Sequence, residues 1–150
     1  MLGGFRTEML HPDYPVINGR YQMTPDWALT LPVPVNRRFE DGSLVLWRPG
    51  LTMWVNVWGN NKFESRESRL QWIREDTSPD AFEAEVIDTG EHIQYGYRLT
   101  EDRDESVVHA FYGFAIGASG HVQVAIYFDV ERDLELAKTI WKSIVASRAA

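Results

Sequence analysis

From Trp27 to Phe128 apolar and polar side chains alternate, with one break between Glu64 and Asp76, and the chain closes on a segment whose apolar residues recur every three to four positions. A period of two sends successive side chains to opposite faces of a strand, and a period near 3.6 gathers them into one stripe of a helix. The pattern therefore predicts an α+β fold, an antiparallel β-sheet covered by helices. At 150 residues the chain suffices for one such core and is short for two.

Residues 1–20 mix Gly3, Gly4, Pro12, Pro15, Asn18 and Gly19 without periodicity. They read as a poorly ordered N-terminal arm ahead of a single domain over 21–150. Trp27, Leu29 and Leu31 form a short first strand, which Pro32 and Pro34 are expected to end because proline donates no ladder hydrogen bond. Pro49-Gly50 has type II turn chemistry and joins Ser43–Trp47 to Thr52–Trp58 as a hairpin. With Trp47 opposite Thr52, one face carries Leu44, Leu46, Met53 and Val55. The other carries Val45, Trp47, Trp54, Asn56 and Trp58, so cover is expected on both sides.

A short helix is read over Glu64–Asp76, capped by Ser65 or Ser68, with Leu70 and Ile73 on one face and Pro79 and Asp80 closing it. Phe82–Asp88 and His92–Leu99 form a second hairpin. Its simplest register sets Phe82, Ala84 and Val86 beside Ile93, Tyr95 and Tyr97, leaving Glu83, Glu85, His92, Gln94 and Arg98 on a partly solvated face. Val107–Ile116 and His121–Phe128 form a third hairpin across Gly117-Ala118-Ser119-Gly120. Asp129 or Asp133 starts the final helix, whose buried stripe is read as Leu134, Ala137, Trp141, Ile144 and Val145.

The 22 acidic and 15 basic residues give a net charge of −7 and a pI near 5.0. Such a surface repels a phosphate backbone, so nucleic acid is not an expected partner. With no cysteine, disulfides, thiolate metal sites and cysteine nucleophiles are excluded. The start MLGGFRTEML lacks the apolar core of a signal peptide, and no apolar run has the length of a membrane span, so the expectation is a soluble cytoplasmic protein without membrane contact.

The reactive residue types do not assemble into a motif. If Ile116 pairs with His121, then His109 and His121 fall on opposite faces and cannot share an ion. The acidic run Glu101–Glu105 lacks the glycine and distal glutamate of a calcium loop. Glu83 and Glu85 sit without the pocket that would separate their pKa values. Gly117-Ala118-Ser119-Gly120 lies between strands, not in the strand-to-helix elbow of a serine nucleophile. No glycine-rich phosphate loop is present, so no cofactor is expected. Trp47, Trp54 and Trp58, with Asn56 among them, remain as contacts for a partner or ligand. Flat aromatic groups floor such grooves, and they equally pack cores.

The element order W-x-L-x-L-P at Trp27–Pro32, an acidic turn into the strands of residues 43–58, one interrupting helix, two hairpins, and V-x-V-x-I-Y-F at Val122–Phe128 before a helix bearing Trp141 resembles the PsbP-like fold. That family includes a photosystem oxygen-evolution subunit, a Ran-binding nuclear-transport protein and bacterial proteins of unknown function. The resemblance covers residues 21–150 and implies an α/β/α sandwich with noncatalytic protein-binding roles, including adaptors of bacterial secretion effectors. It supplies no binding residue for a numbered position here. The resulting expectation is a noncatalytic bacterial protein-binding or adaptor domain with a protein partner. The alternatives are a small-ligand carrier with a pocket between sheet and helix, and a hydrolase with a dispersed active site.

Overall fold

The computed structural model describes residues 10–146 and is a mostly antiparallel β-sheet with two short helices, an α+β fold. The strands are β1 (Val16–Thr24), β2 (Trp27–Glu40), β3 (Ser43–Arg48), β4 (Leu51–Gly59), β5 (Phe82–Asp88), β6 (Ile93–Arg103), β7 (Ser106–Gly117), β8 (Gly120–Phe128) and β9 (Val145–Ala146). Helix α1 (Arg66–Glu75) follows β4, and helix α2 (Leu134–Lys142) follows β8 after one 3₁₀ turn. The sheet runs β1-β2-β3-β4-β8-β7-β6-β5, with β9 paired to β2.

Two hairpins have the expected register. Trp47 pairs with Thr52 across Pro49-Gly50, where Gly50 takes the positive φ of +83° that the turn requires. Ile116 pairs with His121, and His109 with Phe128. The long-range step is β4 against β8, which sets Trp54 opposite Ala125 and Trp58 opposite His121.

Helix α2 packs on the face carrying Leu29, Leu31, Leu46, Met53, Phe111 and Ile126. Its anchor is Trp141, which has no exposed surface. Gly96 and Gly113 face each other across β6 and β7. A Cβ on Gly113 would stand 2.4 Å from Trp141 Cδ1, and one on Gly96 3.0 Å from Cζ2, so the indole lies in a slot only paired glycines provide. Trp141 Nε1 donates to Phe114 O at 3.1 Å, and Gln94 Nε2 donates to Trp141 O at 3.0 Å. Helix α1, capped by Ser65 accepting from Ser68 N, packs Leu70 and Ile73 on the opposite face against Tyr95, Tyr97, Phe114 and Ile116.

Several local expectations are corrected. Strand β2 continues through Pro32 and Pro34, because both lie where the β1 ladder slips from Ile17↔Val35 to Gly19↔Leu31, a place that needs no donor. The expected arm of residues 1–20 reaches into the sheet, since β1 begins at Val16; residues 1–9 and 147–150 lie outside the described residues. In β5 Val86 does pair with Tyr95, but a bulge at Glu83, with φ of 52°, turns Phe82 to the opposite face, under the Arg98 guanidinium at 5.1 Å. That face is solvated only along β5, at Glu83 and Glu85: His92, Gln94 and Arg98 are buried, Gln94 bonded to α2 and Arg98 paired with Glu83 and Glu131. Asp133 makes no side-chain cap, and Val145 is not helical but pairs with Ala28, so Ile140 takes its place in the buried stripe.

Trp141→Ala is expected to destabilise the fold by about 3–5 kcal/mol in denaturant titration, and Gly113→Ala by about 1–3 kcal/mol through overpacking. Because one slot is involved, Gly113→Ala should cost clearly less in the Trp141→Ala background; strict additivity would contradict the contact.

Candidate functional site

Of the sequence-derived contacts, Trp47, Trp54, Asn56 and Trp58 do share one face, the side of the sheet that α1 partly covers. They do not form one groove. Trp54 and Trp58 are four residues apart on a strand, roughly 13 Å at about 3.3 Å per residue. The half-buried Trp47 is covered by Tyr14, edge-on at 5.0 Å, and by the Arg38 guanidinium 4.6 Å above its ring, instead of by a helix. Arg38 also reaches Trp54, at 5.9 Å. Asn56 accepts a 2.7 Å bond from the Ser43 hydroxyl.

Trp58 has a different setting. It is 45% exposed and stacks on His121 at 4.8 Å with the ring planes 17° apart. Across from it α1 presents Trp72, 42% exposed and set edge-on to His121 at 5.8 Å. Between helix and sheet lies a cavity of about 240 Å³, walled by Trp58, Trp72, Tyr97 and Phe114, with His121 and Asp76 also on its lining.

Behind this cavity is a buried polar relay. Arg69, carried on the sheet-facing side of α1, is 5% exposed. Its Nη1 lies 2.9 Å from His121 Nδ1, and its Nη2 contacts Asn60 Oδ1 at 3.1 Å and Glu64 Oε1 at 3.2 Å. Glu64 uses its second oxygen to accept from the Trp72 indole N–H at 3.1 Å. A buried guanidinium needs such partners, since leaving it unpaired would cost several kcal/mol, on the order of 3–5.

Arginine only donates, so His121 Nδ1 must be the acceptor and the ring proton sits on Nε2. Burial first, and the Arg69 charge second, push the His121 pKa from 6.5 down to about 4. The ring is thus neutral near pH 7 and offers one N–H donor. Tyr97 is pushed up to about 12, chiefly by burial, and stays a phenol. The result is an aromatic-walled cavity with a fixed N–H donor, and its histidine faces an arginine where a general base would need a carboxylate orienter.

The other sites read from sequence are dispersed. His109 lies on the α2 face, stacked on Phe128 at 5.4 Å, while His121 lies on the α1 face. His109 Nδ1 is 3.7 Å from Glu131, whose carboxylate is engaged by Arg98. Glu83 pairs with Arg98 and Glu85 with Lys138. Ser119 is a turn residue between Gly117 and Gly120, and Glu101–Glu105 spans the β6–β7 hairpin tip. Among the described residues no three His, Cys, Asp or Glu side chains gather to hold a metal, and no helix is long and apolar enough to cross a membrane.

Trp72, Arg69, Asp76 and His121 were not among the residues singled out from sequence as contacts. No local pattern marks them, because Trp58 meets His121 only through the β4–β8 pairing of segments some sixty residues apart.

No family model matches the chain, and no curated protein does. Among solved structures it is similar to a protein from Bacteroides thetaiotaomicron VPI-5482 determined at 1.50 Å, with a TM-score of 0.65 and 10% identity. The match covers 88% of this chain and 50% of that one, so the chain spans about half its length. At that identity the likeness is one of fold.

The His121 shift has a definite sign. A folded pKa below the unfolded one means the unfolded chain binds more protons between about 4 and 6.5, so stability is full above that window and falls as pH drops through it. His92 is shifted the same way, mainly by burial. His121→Gln keeps an acceptor for Arg69 and does not titrate. It should remove up to roughly 3 kcal/mol of the stability difference between about pH 7 and about pH 4.5, read by urea titration. An unchanged difference would contradict the buried neutral ring.

Proposed function

We propose that the protein is a noncatalytic binding protein that takes one small organic group into the pocket between α1 and the sheet. The observation carrying this reading is the pair of half-exposed indoles, Trp58 and Trp72, set around a cavity of about 240 Å³ that also has the neutral His121 on its lining. Large aromatic groups left half exposed beside a cavity still have apolar area to bury, and tryptophan is enriched where binding energy concentrates. Pockets for drug-sized ligands run to about 300–1,000 Å³, so this one fits a head group or a single side chain.

An adaptor role is a second form of the same reading, in which the bound group belongs to a protein partner. It is favoured by Phe63, which is 89% exposed on the loop between Trp58 and α1 and held at a φ of 54° that a bulky residue rarely adopts. We propose also that the architecture is a PsbP-like α/β/α sandwich of a bacterial, cytoplasmic protein. The element order and the packing of α1 and α2 on opposite faces support it.

A screen of small organic compounds by NMR tests the pocket. Compounds that bind are expected to shift the indole N–H signals of Trp58 and Trp72, and Trp58→Ala or Trp72→Ala should weaken them about tenfold, near 1.4 kcal/mol. Binding confined to the surface around Trp47 and Trp54, or turnover of a bound compound, would overturn the proposal.

A further inference from the structure

The charge around the pocket narrows what it can hold, on the assumption that the pocket is the binding site. Of its lining residues only Asp76 carries a formal charge, since Tyr97 is a phenol and His121 a neutral imidazole. The nearby cations are already engaged. Arg69 is paired with Glu64 at 3.2 Å and spends its Nη groups on His121 and Asn60. Arg74 lies over the Tyr95 ring at 5.6 Å.

A second electrostatic term has the same sign. Ile73, Asp76 and Thr77, at the C-terminal end of α1, line the cavity. The last carbonyls of a helix carry the negative end of its dipole, which favours a cation there. Trp58, Trp72, Tyr97 and Phe114 line the cavity, and aromatic π-systems attract ammonium groups, more strongly when water is excluded. At longer range the chain's net charge of −7 draws cations toward the surface and repels anions. A carboxylate or phosphate ligand would meet Asp76, the helix C-terminus and the ring faces, all unfavourable.

We propose that this pocket is a receptor for an organic cation, a methylated ammonium group carried by a free small molecule or by a lysine side chain, held by the rings of Trp58 and Trp72 with Asp76 as counter-charge. Methylation suits the site because the alkyl shell lowers the cost of leaving water and contacts the rings, and in the trimethylated group the nitrogen has no proton to lose to a base. The cavity's size, below that of a drug-sized pocket, matches one such head group.

The test compares choline with 3,3-dimethyl-1-butanol, its uncharged isostere, on the intact chain by NMR titration, with a trimethyl-lysine peptide as a third probe. Choline or the peptide is expected to shift the Trp58 and Trp72 indole signals and to bind at least about tenfold tighter than the isostere, weakening as salt is raised. Tighter binding of the peptide assigns the group to a protein; tighter binding of choline assigns it to a free molecule. Asp76 is exposed, and Asp76→Asn should reduce the preference for charge while leaving the isostere unaffected. Equal binding of choline and isostere would overturn the cationic assignment and leave the pocket standing, as would binding of other compounds in the pocket with no cation bound. If no compound of any class enters, both readings fail.

Discussion

Trp141 lying on the paired glycines of β6 and β7 is the contact on which the rest of the arrangement depends. An indole needs a flat floor, and a Cβ on Gly113 or Gly96 would intrude on it. With the floor in place, α2 approaches closely enough for Trp141 Nε1 to reach Phe114 O and for Gln94 to reach the helix C-terminal carbonyl. Those bonds satisfy polar groups that would otherwise be buried without partners. Beyond the helix the Ser143 hydroxyl accepts from the Thr30 N–H of β2 at 2.8 Å and donates to Ile140 O at 2.6 Å, which fixes the chain before β9.

The consequence appears on the other side of the same two strands. Because the pleat alternates, glycines on the α2 face leave Tyr95, Tyr97, Tyr112 and Phe114 as the neighbouring residues of the α1 face. The aromatic side chains stack there, Tyr97 on Tyr112 at 5.5 Å and Tyr95 on Phe114 at 5.9 Å. Helix α1 has ten residues and cannot cover the whole of that face. It covers the part over β6 and β7, so its border falls at β8 and β4, where His121 and Trp58 sit. The pocket is therefore placed by a shortfall of helix over a wide sheet.

The alternation of side chains made much of this legible. The turn chemistry of Pro49-Gly50 and of Gly117–Gly120 determined two registers correctly, and with them the opposite facing of His109 and His121. What escaped was every feature set by a partner distant in sequence. The bulge at Glu83 inverts Phe82 because Arg98 offers its guanidinium, and nothing in the run Phe82–Asp88 announces that. Gln94 and Arg98 looked solvated because they are polar, yet α2 supplies a partner for Gln94 from Trp141, and the 3₁₀ turn before it supplies Glu131 for Arg98. Trp47, Trp54 and Trp58 looked equivalent, and only the strand order separates the first two, gathered around Arg38, from the third, stacked on His121.

That separation also explains why the two aromatic groups differ in what they can do. At Trp47 and Trp54 the attraction of the rings for a cation is already met by Arg38, whose guanidinium is held at 4.6 and 5.9 Å from them. Tyr127 is occupied in the same way by Arg103 at 5.0 Å. Around the α1 pocket the arginines are turned elsewhere: Arg69 toward Glu64 and the imidazole edge, Arg74 toward Tyr95. Among the described residues no arginine or lysine is set over the rings of Trp58 and Trp72, which lie beside a carboxylate and a helix C-terminus. Among the described residues the strand order therefore sets arginines over the rings of Trp47, Trp54 and Tyr127 and leaves the rim of the α1 pocket to aromatic groups and a carboxylate.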